Sequence, residues 1–221
     1  MIEEAKLEYK KKEFGSGMKN ERYSMAFTTG GLFHRGSVKL AVLYLELKEW
    51  DSVRNKVFSE NLLQSRTLNS LTRVSREIIS RLKTLEAGEL DLLISGSTQE
   101  QKYLLWLAVC RRYSFIADFA KEVIRERYIS LKSDLHYEEF DYFFNKKSEW
   151  YPELEKITPT TRNKLRQVLF KILREAEILT IDHTINGSML SKRLLDAISQ
   201  ERRKDVLIFP AFASGITGIA T

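Results

Sequence analysis

Six polar residues recur in alternating steps of three and four: Arg66, Asn69, Arg73, Arg76, Ser80 and Lys83. Steps of three and four return to one face of an α-helix. The spacing therefore predicts a single polar stripe that carries four cations and no acid, with Glu77 beside it. At 1.5 Å of rise per residue the stripe is roughly 25 Å long. That reach suits a run of phosphates or the length of a groove. A second set repeats the pattern between positions 159 and 177. Thr160, Lys164, Gln167, Lys171 and Arg174 share one face, with Arg162 and Arg166 beside it. Thr161 and Asn163 stand near the start of that helix, where a phosphate could also meet free backbone amides.

The candidate contacts are thus Arg66, Asn69, Arg73, Arg76 and Lys83 from the first row. The second row supplies Thr161, Arg162, Lys164, Gln167, Lys171 and Arg174. Their chemistry is charge neutralisation, with Asn69 and Gln167 suited to base or sugar contacts. The competing reading is a pair of solvated faces, the ordinary fate of charged helix surfaces. The whole-chain balance favours a polyanion: 36 Lys and Arg stand against 30 Asp and Glu, a formal net charge of +6. The pI is near 9.3. Such an excess permits a nucleic-acid partner without proving one.

Residues for bond-breaking chemistry are sparse. His34, His136, His183 and Cys110 are scattered, without ligand spacing. Cys110 lies in the most apolar stretch and reads as an inert core thiol. Asp134, His136 and Glu138, with Glu139 and Asp141 beyond, could in principle hold a metal for phosphodiester cleavage. The same residues suit an acidic helix N-terminus, which the helix dipole favours. Gly30-Gly31 lacks both the Walker lysine and the spaced dinucleotide glycines. Trp50, Trp106 and Trp150 read as packing residues rather than base-stacking platforms. The sequence therefore predicts a non-enzyme with no metal and no cofactor.

Helices must position these rows. The chain of 221 residues holds only 10 Gly and 3 Pro, few for a turn-rich sheet protein. Ser37 and Asp51 read as caps of two early helices. Leu71, Ile78, Leu82 and Leu85 form one apolar face over 68–85, with Glu77 and Arg81 paired four apart. Gly88 reads as the break after it. Ser97 with Glu100 is a capping box opening an all-round apolar run at 102–110, the expected buried central helix. Ser133 or Asp134 reads as the next cap. Thr158-Pro159 starts the helix that carries the second row. Residues 178–187 read as a small winged-helix-like excursion turning at Asn186-Gly187, before a last helix over 188–203. Arg202-Arg203-Lys204 would complement that helix's C-terminal dipole.

The expected architecture is all-α, mostly helical, in two packed helical subdomains spanning 18–150 and 151–221. Residues 1–17 precede Met18 and end in Gly15-Ser16-Gly17, which reads as a tag or flexible tail. No run reaches the ~18 apolar residues of a membrane span, so no membrane partner is expected and the location reads as cytoplasmic.

From Tyr23 onward the chain resembles the BrxA family of bacteriophage-exclusion (BREX) defence proteins. The likeness rests on Tyr23-Ser24-Met25-Ala26-Phe27 with Gly30-Gly31-Leu32, and on Glu60-Asn61-Leu62-Leu63. It continues through residues 73–82, Leu104-Leu105-Trp106 and Asp118-Phe119, then residues 161–170 with Leu173 and Glu175. What the resemblance implies is a small helical protein of a phage-defence cluster that also encodes a DNA methyltransferase. It further implies a DNA-binding accessory rather than an enzyme. The expected partners are double-stranded DNA and other BREX components. The alternative is a scaffold that docks onto those components without touching DNA.

Overall fold

A computed structural model describes residues 22–212. The expectation of a tag over 1–17 lies outside the described residues. Helices follow in the order α1 (His34–Leu47), α2 (Trp50–Ser59), α3 (Leu68–Leu82), α4 (Ala87–Ser95), α5 (Thr98–Arg112) and α6 (Ser114–Phe119). A π-helical turn, Ala120–Arg125, leads into α7 (Glu126–Ile129). Then come α8 (Tyr137–Ser148), α9 (Pro152–Glu155), α10 (Pro159–Glu175), α11 (Lys192–Ala197) and a 3-10 helix, Gln200–Ile208. The all-α class holds, and no strand forms among the described residues.

The apolar run at 103–110 makes α5 the hub. Every side chain from Tyr103 to Cys110 is buried, and α1, α3, α4, α6 and α10 pack around it. Burial pushes the Cys110 thiol well above its ordinary pKa, which suits an inert core position. Burying Leu, Val and Phe side chains contributes about 1.5–3 kcal/mol each. Aromatic edges join α6 to α8: Phe115 meets Phe143 at 5.2 Å and Phe119 meets Phe140 at 6.0 Å, both edge to face. The apolar residues on both sides of Tyr151 enter this one core, which runs from Tyr23 to Ala211. Arg111 of α5 donates to both oxygens of buried Glu89 at 2.6 and 2.8 Å and to Asp205 at 2.7 Å, tying α4 and the 3-10 helix to the hub.

Several local expectations shift. α1 starts at His34 rather than at Ser37, because the Ser37 amide already donates to the Phe33 carbonyl and its side chain is buried inside the helix. α2 starts one residue before Asp51, which sits in its first turn. The break after α3 falls at residues 83–86, and Gly88 lies inside the first turn of α4. His136, not Ser133 or Asp134, precedes α8, and its amide donates to Glu139 at 2.7 Å. The helix expected over 188–203 is divided. Ser191 caps α11 through the Leu194 amide, Ile198 is extended, and the basic cluster enters the 3-10 helix. Arg203 still reaches the end of α11, donating to the Leu195 carbonyl at 2.8 Å.

The excursion after α10 exists, but it turns before Asn186. Leu179 pairs with Ile185 and Asp134 with Thr184, both antiparallel, and His183 takes the left-handed φ of 62° that closes the turn. The Thr180 amide donates to the Thr184 carbonyl at 2.9 Å, and Asn186 returns a bond to Ile178 at 2.8 Å.

Candidate nucleic-acid interface

Thr67 opens α3, its hydroxyl accepting from the Ser70 amide at 3.2 Å. Leu71, Ile78 and Leu82 face the core, which forces the opposite face outward. Arg66, Asn69, Arg73, Arg76 and Lys83 are all exposed, with Arg66 just ahead of the cap. Among the described residues no acid lies within ion-pair distance of the four cations. Ser80 is half-buried and its hydroxyl donates to the Glu77 carbonyl at 2.9 Å.

Glu77, the acid beside the row, is turned inside. Its side chain is 10% exposed and that of Arg81 is 4% exposed, with Arg81 Nε 2.7 Å from Glu77 Oε1. The Tyr113 hydroxyl donates to the same carboxylate at 2.7 and 2.9 Å. Burial first, and the hydrogen bond to the Glu77 carboxylate second, push the Tyr113 pKa upward, so this hydroxyl stays protonated as a donor. Arg81 Nη1 donates to the Gly31 carbonyl at 2.7 Å. The acid is thereby removed from the surface and replaced by an internal tie.

The α10 row has a different fate. Arg162 turns toward α8, with Nε 3.1 Å from Asp141 Oδ1, Nη1 2.6 Å from Asn145 Oδ1 and its plane 4.5 Å over Phe144. Arg166 binds the other Asp141 oxygen and lies over Tyr137 at 4.9 Å. The Thr161 amide is already occupied by the Thr158 hydroxyl at 3.2 Å, and Asn163 accepts from Arg166 at 3.2 Å. Capping thus takes up one of the backbone amides expected to be free near the start of this helix. Lys171 is 54% exposed, 3.7 Å from Glu175, and donates to the Gly30 carbonyl at 3.3 Å. Lys164 and Gln167 remain exposed and Arg174 is half-buried.

Gly30-Gly31 joins the two helices. A Cβ on Gly30 would meet Val168 of α10 at 3.0 Å, and Gly31 takes φ +149° with Glu175 at 3.0 Å from any added Cβ. Alanine at either position would collide or strain. This glycine pair serves close packing, in line with its lack of a phosphate-loop pattern.

Tertiary packing adds a residue that spacing alone does not reveal. A cleft of ≈ 220 Å³ opens between α2 and α3, and Arg54 of α2 lines it with Arg76 and Lys83. In the sequence Arg54 stands three residues after Asp51 and reads as an ordinary surface pair.

The acidic cluster does not assemble into a metal centre. Asp134 binds Arg127 at 2.6 Å, and Glu139 binds Arg127 at 3.1 Å. No group of three or more potential ligands converges among the described residues. His136 and His183 come together as a stacked pair with centroids 5.7 Å apart. Among the described residues no helix is long and apolar enough to cross a membrane.

The chain is 27% identical over 162 residues to the BREX protein BrxA of Escherichia coli O9:H4 (strain HS), covering 73% of this chain and 76% of that protein. It is 26% identical over 181 residues to the BREX protein BrxA of Paramagnetospirillum magneticum, covering 79% and 91%. A crystal structure of an uncharacterized protein from Magnetospirillum magneticum superposes with a TM-score of 0.76 at 23% identity, covering 86% of this chain and 98% of that one; this likeness shows the fold. The BrxA family model matches residues 21–202. That span takes in α3, α10 and the helices that hold them, and the chain belongs to the BrxA family of the BREX phage-defence system.

Proposed function

We propose that this protein is a non-catalytic, cytoplasmic accessory of BREX defence that binds double-stranded DNA mainly through its phosphates. The observation that carries the reading is the α3 face. Arg66, Arg73, Arg76 and Lys83 are exposed along one row, while the adjacent acid Glu77 is sequestered by Arg81 and Tyr113. Free cations that keep their full charge are what phosphate neutralisation and counterion release require. Lys164, Lys171 and Arg174 add charge from α10, with Asn69 and Gln167 available to base or sugar.

The test is a titration with random duplex DNA across salt. Four engaged cations predict that log K falls with log salt at a slope of roughly −3.6. A salt-insensitive affinity refutes phosphate-led binding. A second reading, docking onto other BREX components, draws on apolar side chains around the excursion: Leu131 and Ile181 are each 82% exposed and Met189 is 89% exposed. It takes over if no duplex binding occurs at low salt.

A further inference from the structure

The α2–α3 cleft differs in kind from the row that runs past it. Its rim carries Arg54, Arg76 and Lys83 against a single acid, Asp51, and its wall includes the rings of Trp50 and Phe58. None of the three cations has an ion-pair partner among the described residues. Trp50 is held in place by Tyr44, stacked at 4.0 Å with an interplanar angle of 11°. The hydroxyls of Thr72 and Ser80 donate to the carbonyls of Leu68 and Glu77 at 2.8 and 2.9 Å. Their remaining lone pairs can only accept, which suits an amino group and not a phosphate.

Cations at the rim, a braced aromatic wall and acceptor-only hydroxyls are three different recognition elements in one recess. A phosphate alone would use only the first. The cleft volume of ≈ 220 Å³ lies below the ~300 Å³ at which small-molecule pockets begin. Its size suits one planar base with the phosphate left at the rim.

We infer that this cleft binds a single nucleotide, its phosphate on Arg54, Arg76 and Lys83 and its base against Trp50 and Phe58. The nucleotide is either a free mononucleotide or one unpaired residue of a DNA strand. This site goes beyond duplex binding: Arg54, Trp50 and Phe58 take no part in that reading.

The test follows tryptophan fluorescence of the full chain with dAMP, ribose 5-phosphate and inorganic phosphate, with a Trp50→Phe variant assigning the signal. A parallel titration compares blunt duplex with the same duplex carrying one unpaired 5′ nucleotide. The expected result is saturable binding of dAMP, tighter than ribose 5-phosphate. Arg54→Glu should weaken it by about tenfold or more, whereas Lys132→Glu, at an exposed cation outside the cleft lining, leaves it unchanged. A preference for the overhang duplex without free dAMP binding assigns the nucleotide to a strand and supports the site, provided Arg54→Glu abolishes that preference. Equal affinity for dAMP and ribose 5-phosphate overturns it, as does absence of both dAMP binding and an overhang preference. Blunt-duplex binding that fails while dAMP still binds would separate this site from the proposed function.

Discussion

The polar faces of α3 and α10 are written in nearly the same residues and end differently. On α3 the cations Arg66, Arg73, Arg76 and Lys83 stay exposed and unneutralised, because Glu77 is drawn inside by Arg81 and Tyr113. On α10 the flanking arginines Arg162 and Arg166 converge on Asp141 of α8, and Lys171 has Glu175 at 3.7 Å. The lesson is that a cationic helix face is defined by what packs beside it. One carboxylate buried beneath a row frees it; one carboxylate across from a row turns arginines into fasteners.

The comparison breaks most sharply at Arg73 and Arg76. Reversing both to Glu should lower duplex affinity on the order of 100-fold, from two lost charge-assisted contacts. The salt slope should drop toward roughly −1.8. Both residues are exposed, so helicity by circular dichroism should not change. Unaltered affinity would reduce the α3 row to a solvated face.

Asp141→Ala attacks the other side. It leaves two partly covered guanidiniums without their carboxylate and should cost about 2 kcal/mol of stability. In a protein of this size the melting temperature falls by about 4–8 °C, read by calorimetry. Duplex affinity should hold or rise slightly, since arginines are released. A large loss of DNA binding in a folded Asp141→Ala protein would show that α10 depends on this anchoring for contact.

Lys164→Glu with Lys171→Glu probes what charge α10 retains. The expected loss of duplex affinity is several-fold, about 1 kcal/mol, well below the α3 pair. Equal losses from both helices would erase the distinction drawn between them, and the same binding titration reads it.

Glu100 sharpens the contrast as an acid that serves neither row. The Ser191 hydroxyl at 2.6 Å, then the Ser97 amide at 2.7 Å, hold its carboxyl below the ordinary range. A carboxylate favoured in the folded state stabilises above its unfolded pKa of about 4.3. That stability is lost as pH falls through the lower folded value. Glu100→Gln should therefore cost under about 1 kcal/mol at neutral pH, with the gap to the unaltered protein narrowing below about pH 4 in thermal melts. A gap that widens on acidification would contradict the assignment.

The local order of this molecule follows from its residue pattern. Alternating steps of three and four put the α3 cations on one face because helical geometry depends only on neighbours along the chain. The Ser97–Glu100 box and the Thr158-Pro159 start were legible for the same reason, since caps are satisfied within one turn. The apolar run at 103–110 marked the hub because burial on every side leaves no polar face to show. What nearest neighbours could not decide were the contacts between segments far apart. Glu77 points inward toward the hydroxyl of Tyr113, 36 positions away in the chain, and Arg162 is tied to an acid 21 positions back. The late start of α11 is anchored by Ser191, whose hydroxyl donates to Glu100, 91 positions away. Arg54 becomes a cleft residue only once α2 lies against α3. Charge along a helix is a local property, whereas its neutralisation depends on through-space distance, and distance is set by the packing of the whole chain.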